Sequence, residues 1–175
     1  MNAVDAMKTM NASGQRVAIV GVTGRMGREI RVLAAEAGFW VTAGVSGSAN
    51  DTVEGVEVVE RVDQLDASKI DVVIDFSLPE ITNDVIAWCV RARKPLVSGV
   101  TGLTEPQKTA LTVAGREIAL LWAPNMSLGV AVMARMLAEL CHLDGFDFQV
   151  EELHPARKKD KPSGTAFFLQ ERLKA

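Results

Sequence analysis

Short apolar runs alternate with amphipathic stretches along most of this chain, up to about Met126. Runs of four to eight apolar or β-branched residues are typical of buried strands, and apolar positions three or four residues apart are typical of helices. Strands that alternate with helices predict an α/β fold with a doubly wound parallel, Rossmann-type sheet. The predicted strands are 16–20, 39–45, 56–59, 70–77, 95–98 and 118–122, and the first predicted helices are 28–37 and 79–91.

Local signals mark the ends of these helices. Gly38 follows the first helix and predicts its C-terminus. Thr104, with Gln107 three residues later, has the spacing of a capping box and predicts the start of another helix. The helix that begins at Pro79 is expected to bury one apolar face, formed by Val85, Ile86, Trp88 and Cys89.

The pattern changes after Met126, where one long helix and one alternating segment follow. The helix, 128–141, has an apolar face in which Met133 and Met136 are expected to fill the core. Residues 146–151 alternate with period two and predict a half-exposed strand. We therefore expect a flexible leader, 1–15, a dinucleotide-binding domain, 16–126, and the beginning of an incomplete α+β substrate domain, 127–175.

Composition excludes several classes of protein. The 175 residues have a net charge of −3, which argues against a nucleic-acid-binding surface, and 48% of them are apolar, enough for a core. No apolar run reaches the roughly 18 residues of a membrane span, and no secretory signal is evident. Cys89 and Cys141 lack metal-ligand spacing, so we expect reduced cysteines, no metal site and a cytoplasmic protein.

Three glycines stand at the junction of the first strand and helix, in the order Gly21, Gly24, Gly27. A glycine turn between strand and helix lets the backbone approach a pyrophosphate closely. The spacing G-x-x-G-x-x-G differs from the usual G-x-G-x-x-G but serves the same mechanism. A plain tight turn is the alternative, and nucleotide binding is the favoured interpretation.

The residue after the second strand bears on the choice of nucleotide. NAD-selective Rossmann proteins place Asp or Glu about 20 residues after the glycines, to accept hydrogen bonds from the ribose. Ser46 stands there in this chain, and Arg25 in the glycine loop could pair with a 2′-phosphate. This arrangement favours NADP(H), with NAD(H) as the alternative.

Polar or glycine-rich turns follow three further strands, at the edge where ligands of open α/β sheets bind. Asp75 and Ser77 end one strand, although Asp75 could instead cap the next helix. The other two turns are Gly99–Gly102 and Ala123–Ser127.

The densest chemistry lies in the segment 151–166. His154 can transfer a proton near neutral pH, and it is followed by four cations, including Lys158. Pro162, Ser163, Gly164 and Thr165 then indicate a helix N-terminus, whose free N–H groups favour an anion. This segment predicts a small-anion site beside a proton donor, with a solvated basic loop as the alternative.

The order of these motifs resembles the dihydrodipicolinate reductase family of bacterial lysine biosynthesis, now called 4-hydroxy-tetrahydrodipicolinate reductase. The most specific part is E-x-H-H-x-x-K-x-D-x-P-S-G-T-A, which this chain matches at Glu152, His154, Lys158, Asp160 and Pro162–Ala166. The resemblance implies NAD(P)H-dependent reduction of 4-hydroxy-tetrahydrodipicolinate, a small dicarboxylate, and a homotetramer where the full family domain is present.

The resemblance also implies roles for individual residues. His154 corresponds to the catalytic acid and Lys158 to its catalytic partner. The residues implied in cofactor binding are Gly21, Val22, Thr23, Gly24, Arg25, Met26, Ser46, Gly99, Val100, Thr101, Ala123, Pro124, Asn125 and Met126. Those implied in substrate binding are Ser163, Gly164 and Thr165.

Three positions depart from the family pattern. Pro155 replaces the second His, Val100 replaces a Thr, and Ser46 replaces an acid. Family members also usually continue further than this chain. Pro155 and the missing continuation keep open the alternative of a nucleotide-binding Rossmann module without turnover. If the segment around His154 has another role, another NAD(P)-dependent reductase, such as an aspartate dehydrogenase-like enzyme, is the further alternative.

Overall fold

The computed structural model describes residues 14–48, 50–143, 145–156 and 161–174. It divides into two compact units, with the boundary between Ala123 and Pro124. The strands, all in the first unit, are β1 (Arg16–Val20), β2 (Trp40–Val45), β3 (Glu57–Val59), β4 (Val72–Asp75), β5 (Leu96–Ser98) and β6 (Leu120–Trp122). The helices are α1 (Arg25–Glu36), α2 (Thr82–Ala92), α3 (Glu105–Ala114), α4 (Leu128–Leu140) and α5 (Gly164–Glu171).

The six strands form one parallel sheet in the order β3-β2-β1-β4-β5-β6. This order confirms the predicted doubly wound, Rossmann-type fold. The chain leaves β1 in one direction across the sheet and β4 in the other, so the strand order reverses between these two neighbours. Ligands of open α/β sheets bind in the crevice at such a reversal, beyond the carboxyl ends of the strands.

The apolar run of β1 is continuous because the strand is buried on both faces. Val17 and Ile19 pack into one cluster, which includes Ile30 of α1. Ala18 and Val20 point to the opposite face and join the larger cluster beneath α2 and α3. Successive side chains of a strand alternate between faces, so covering both faces requires apolar residues at every position.

The predicted helix ends are confirmed. Gly38 has a positive φ of 78° just after α1, a conformation that glycine adopts at little cost. Gln107 accepts a hydrogen bond from the Thr104 N–H at 2.9 Å, as expected of a capping box. The apolar face predicted for α2 is buried as a whole: Val85, Ile86, Trp88 and Cys89.

The second unit corrects two predictions. Residues 146–151 form no strand, since every strand of the described chain belongs to the sheet of the first unit. The period-two pattern provides a face to bury, but a strand also needs a neighbour to complete its hydrogen-bond ladder. Met133 and Met136 are 48% and 65% exposed rather than core residues, because no described element covers that face of α4.

None of the helices among the described residues has both the length and the apolar character needed to cross a membrane. Both cysteines are free: Cys89 is buried in the first unit and Cys141 is half-buried in the second. Burial raises the pKa of the Cys89 thiol to about 12, so this side chain stays protonated and acts as an apolar core residue.

Candidate functional site

Two glycines after β1, Gly21 and Gly27, stand where the backbone leaves no room for a side chain. Gly21 has a φ of 82°, and a Cβ added there would lie 3.0 Å from the carbonyl oxygen of Phe76, in the loop after β4. A Cβ on Gly27 would lie 2.2 Å from the carbonyl oxygen of Gly21. The first glycine therefore permits the turn at the strand-order reversal, and the third permits α1 to pack against the loop.

The start of α1 is open to an anion. Gly24 is its N-cap and offers no side chain to accept from the first-turn N–H groups. The Gly24 N–H itself donates to the carbonyl of Gly21 at 3.0 Å, which closes the loop. An open helix N-terminus after a glycine-rich loop fits the pyrophosphate of a dinucleotide, because its N–H groups and the helix dipole both favour negative charge. Arg25 and Met26 are exposed at this end.

A carboxylate missed by the sequence analysis stands beside this loop. Asp51 Oδ2 accepts a hydrogen bond from Thr23 Oγ1 at 3.1 Å and a short one from Ser46 Oγ. The two hydroxyl oxygens lie 2.8 Å apart. The sequence analysis considered only position 46, where the uncharged Ser46 stands, but the chain returns at Asp51 and places a carboxylate beside Ser46. The Asp51 N–H donates to the Ser48 carbonyl at 3.1 Å in that turn, a weak signal in sequence.

Asp75 organises the loop after β4. Its Oδ1 accepts from the N–H and the hydroxyl of Ser77, at 2.9 and 2.6 Å. It caps this turn and not α2, whose N-cap is Ile81. Burial raises the pKa of Asp75, and the bonds from Ser77 act in the opposite direction. Asp75 thus shapes the edge of the sheet next to Gly21.

The turn after β5 presents backbone at the same edge. A Cβ on Gly99 would lie 2.2 Å from the ring of Phe76, so a larger residue there would require that ring to move. Val100 is buried in the core, and its carbonyl accepts from Trp122 Nε1 at 3.0 Å. Thr101 is exposed. The Val at position 100 is therefore compatible with the site, because its side chain faces the core.

The second unit holds a compact polar network around Glu152. Its Oε1 accepts the Ser163 N–H at 2.6 Å, and its Oε2 accepts the Ser163 hydroxyl at 2.5 Å. His154 Nε2 lies 2.8 Å from the same Oε2. The bonds from Ser163, and then the one from His154, lower the pKa of Glu152 to about 2. Glu152 is thus ionised at neutral pH, so Nε2 carries a hydrogen and donates to it.

The predicted helix start after Pro162 is confirmed as the N-terminus of α5. Ser163 is its N-cap, and its hydroxyl accepts from the Ala166 N–H at 3.1 Å. Both polar groups of Ser163 are therefore used inside the protein, and the side chain is buried. Gly164 is exposed in the first turn, where the helix favours an anion.

Asn125 lies in the same unit as this helix. Its Nδ2 donates to Thr165 Oγ1 at 3.1 Å, and its Oδ1 accepts the Ser127 N–H at 2.9 Å. A residue expected on the cofactor side thus contacts one expected on the substrate side. Pro124 and Met126 flank Asn125, whereas Ala123 ends the first unit with an N–H bond to the Ser98 carbonyl.

Lys158 and the cations beside it, Arg157 and Lys159, lie outside the described residues. The catalytic role of Lys158 stays a prediction from the sequence.

The strand order, the glycine loop and the open N-terminus of α1 define a Rossmann-type dinucleotide-binding protein. The family model "Dihydrodipicolinate reductase, N-terminus" matches residues 15–126, and "Dihydrodipicolinate reductase, C-terminus" matches residues 129–175. The chain belongs to the dihydrodipicolinate reductase family, whose members are pyridine-nucleotide-dependent oxidoreductases.

Individual relatives support the same family assignment. The chain is 42% identical over 166 residues to the 4-hydroxy-tetrahydrodipicolinate reductase of Xanthomonas euvesicatoria pv. vesicatoria (strain 85-10), covering 93% of this chain and 70% of that one. It is 40% identical over 161 residues to that of Bdellovibrio bacteriovorus HD100, covering 90% and 65%. A solved structure, the dipicolinate-bound dihydrodipicolinate reductase from Paenisporosarcina sp. TG-14, shares the fold, with a TM-score of 0.74 and 23% identity over 91% of this chain and 65% of that one.

Proposed function

We propose that this chain reduces 4-hydroxy-tetrahydrodipicolinate with a reduced pyridine nucleotide, as the names of its relatives indicate. The observation that carries the proposal is the network of His154, Glu152 and Ser163 at the start of α5. It joins a proton donor to a helix N-terminus suited to a carboxylate. The two groups that reduction of a dicarboxylate needs, a proton donor and a carboxylate-binding site, are therefore both present in this chain.

The first unit binds the nucleotide. When bound, NAD(P)H supplies the hydride of the reduction. Gly21, Gly24 and Gly27 admit its pyrophosphate to the N-terminus of α1, and the glycine-bracketed turn after β5 leaves backbone accessible beyond the sheet. Arg25, exposed on the first turn, is the side chain that could pair with a 2′-phosphate when the nucleotide is NADPH.

The second unit binds and protonates the substrate. The ionised Glu152 accepts a hydrogen bond from Nε2–H and thereby fixes the ring of His154. In the protonated ring, Nδ1 is then the nitrogen that delivers a proton to the substrate. The 4-hydroxyl group of the substrate leaves as water, and the hydride and the proton then add to neighbouring atoms of the resulting double bond. Glu152 is thus a positioning residue, which also offsets the charge of an imidazolium.

The substrate carboxylate meets the start of α5. The exposed Gly164 and Thr165, which is fixed by Asn125, provide N–H and hydroxyl donors there. Lys158 adds a positive charge in this proposal. Dipicolinate, bound in the Paenisporosarcina reductase, is likewise a small dicarboxylate, which supports this class of ligand.

The test is oxidation of NADH and of NADPH by the 175-residue chain, followed by absorbance, with substrate generated in situ. His154→Ala and Lys158→Ala are each expected to lower turnover by about 10²-fold or more, the usual contribution of acid–base groups, without a large change in nucleotide binding. His142→Ala and Lys174→Ala are the matched controls. Wild-type rates in the first two variants would remove those residues from the mechanism.

The alternative of a nucleotide-binding module without turnover rests on Pro155, which carries no side-chain donor where the family pattern has a second His. Such a module would bind nucleotide, and adding dipicolinate would not tighten that binding. Tightening by dipicolinate, measured by nucleotide fluorescence, supports an intact substrate site. Sedimentation would test the homotetramer, which stays a prediction.

A further inference from the structure

Two hydroxyl groups from separate segments converge on one carboxylate oxygen at the end of β2. Thr23 belongs to the glycine loop and Ser46 follows β2, and both donate to Asp51 Oδ2. Ser46 is buried, and its N–H donates to the Val59 carbonyl at 3.0 Å, so its position is fixed by the sheet. Asp51 is thereby held against the nucleotide-binding loop.

The remaining oxygen of this carboxylate is available to a ligand. Among the described residues, the side-chain hydrogen bonds to Asp51 all end at Oδ2, and the side chain is half-exposed. In Rossmann proteins a carboxylate at the end of the second strand accepts from the ribose hydroxyls of NAD, and a 2′-phosphate there would meet like charge.

We propose that Asp51 is the residue that selects NADH over NADPH in this chain. The inference rests on the proposed function, because it concerns the nucleotide of that reaction. It replaces the preference for NADP(H), which assumed that no carboxylate stood at this point. Arg25 is the competing group, and its side chain makes no hydrogen bond to described residues, whereas Asp51 is fixed by two.

The hydroxyls of Thr23 and Ser46 fix the position of the Asp51 carboxylate. Ser46 has no charge of its own, but its hydroxyl donates to the carboxylate of Asp51, five residues later in the chain. The negative charge therefore lies beside the end of β2. Asp51→Asn keeps the shape of the side chain and an acceptor for the two hydroxyls while removing the charge. Asp51→Glu keeps the charge.

The experiment measures dissociation constants of NADH and NADPH for the full 175-residue chain by fluorescence titration. Binding of 5′-AMP and of adenosine 2′,5′-bisphosphate, which differ in the 2′-phosphate, is measured by calorimetry. Glu54→Gln, an exposed carboxylate in the same connection, controls for a general change of charge. Thermal unfolding confirms that each variant is folded.

We expect the wild-type chain to bind NADH at least about tenfold more tightly than NADPH, a difference of about 1.4 kcal/mol. Asp51→Asn should bring the ratio near or below one, Asp51→Glu should largely keep it, and Glu54→Gln should leave it unchanged. A wild-type preference for NADPH, or a ratio that Asp51→Asn does not alter, overturns the inference alone. A folded wild-type chain that binds neither nucleotide overturns the proposed function as well.

Discussion

Glu152 accepts both the backbone N–H and the hydroxyl of Ser163, eleven residues further along the chain. One carboxylate thus holds the N-cap of α5 and, through Oε2, the ring of His154. The helix start that favours the substrate anion and the group that supplies the proton are therefore positioned by the same side chain. Replacement of Glu152 should therefore affect both the substrate-binding helix start and the proton donor.

Glu152→Gln should lower kcat by about 10- to 100-fold, less than the loss of a general acid, which contributes roughly 10²- to 10⁴-fold. The amide oxygen can still accept from the Ser163 N–H, but the amide nitrogen then takes the place of Oε2, opposite both the Ser163 hydroxyl and His154 Nε2. Steady-state kinetics and nucleotide titration check this, with the neighbouring Glu151→Gln as the control. An equal loss in nucleotide affinity would indicate a general folding defect.

The sequence predicts the first unit well because each signal there is local. The apolar run of β1 follows from burial on both faces, and the turn at Gly21 follows from the need for positive φ. Asp51 escaped prediction because its position depends on a turn that folds back over Ser46. No periodicity or motif spacing records such a contact.

The second unit was harder to predict, since its patterns depend on partners. Residues 146–151 have the alternation of a strand, and Met133 and Met136 have the spacing of a buried face. Neither pattern specifies which element covers it, and Met133, Met136 and Phe146 remain largely exposed. The cap of α5 was predictable from Pro162 and Ser163 because capping is decided within one turn.

Gly27→Ala should abolish measurable nucleotide binding. Its Cβ would meet the carbonyl oxygens of Gly21 and Val22 at 2.2 and 2.7 Å, so the backbone of the loop must move. Overpacking of this kind costs about 1–3 kcal/mol, or roughly 2–12 °C in Tm for a protein of this size. Fluorescence titration and thermal unfolding measure the two effects.

Gly47→Ala is the matched control for that experiment, because a Cβ there meets nothing within 4 Å. It should bind nucleotide as the wild-type chain does. Normal binding by a folded Gly27→Ala variant would show that the tight packing of α1 on the loop is not required for the site.

Thr165→Val should raise KM for the substrate by about 2- to 10-fold, the effect of losing one hydrogen bond of 0.5–1.5 kcal/mol. The replacement keeps the shape of the side chain but removes the oxygen that accepts from Asn125 Nδ2. Nucleotide affinity should stay within about twofold. Thr112→Val, whose hydroxyl donates to the Lys108 carbonyl on the exposed side of α3, controls for the loss of a hydroxyl. Equal effects in both variants would contradict a substrate-side role.

Acid should weaken the first unit through Asp71. The hydrogen bonds from the guanidinium and N–H of Arg16 lower the pKa of Asp71 to about 2. A carboxyl whose folded pKa is depressed stabilises the fold above its unfolded pKa of about 3.9, and that stability is lost as pH falls through the folded pKa. Stability should therefore hold down to about pH 4 and decline towards pH 2.

Asp71→Asn should flatten part of that decline, because the variant has no carboxyl to protonate at this position. The measurement is Tm between pH 7 and pH 2 for the wild-type chain, for Asp71→Asn and for Glu117→Gln, an exposed carboxylate of the same unit. Since the pKa of Glu152 is also about 2, Glu152→Gln is measured in parallel to separate the contribution of the second unit. If the acid limb of Asp71→Asn coincides with those of the wild-type and Glu117→Gln chains, the pair of Arg16 and Asp71 does not contribute to acid stability.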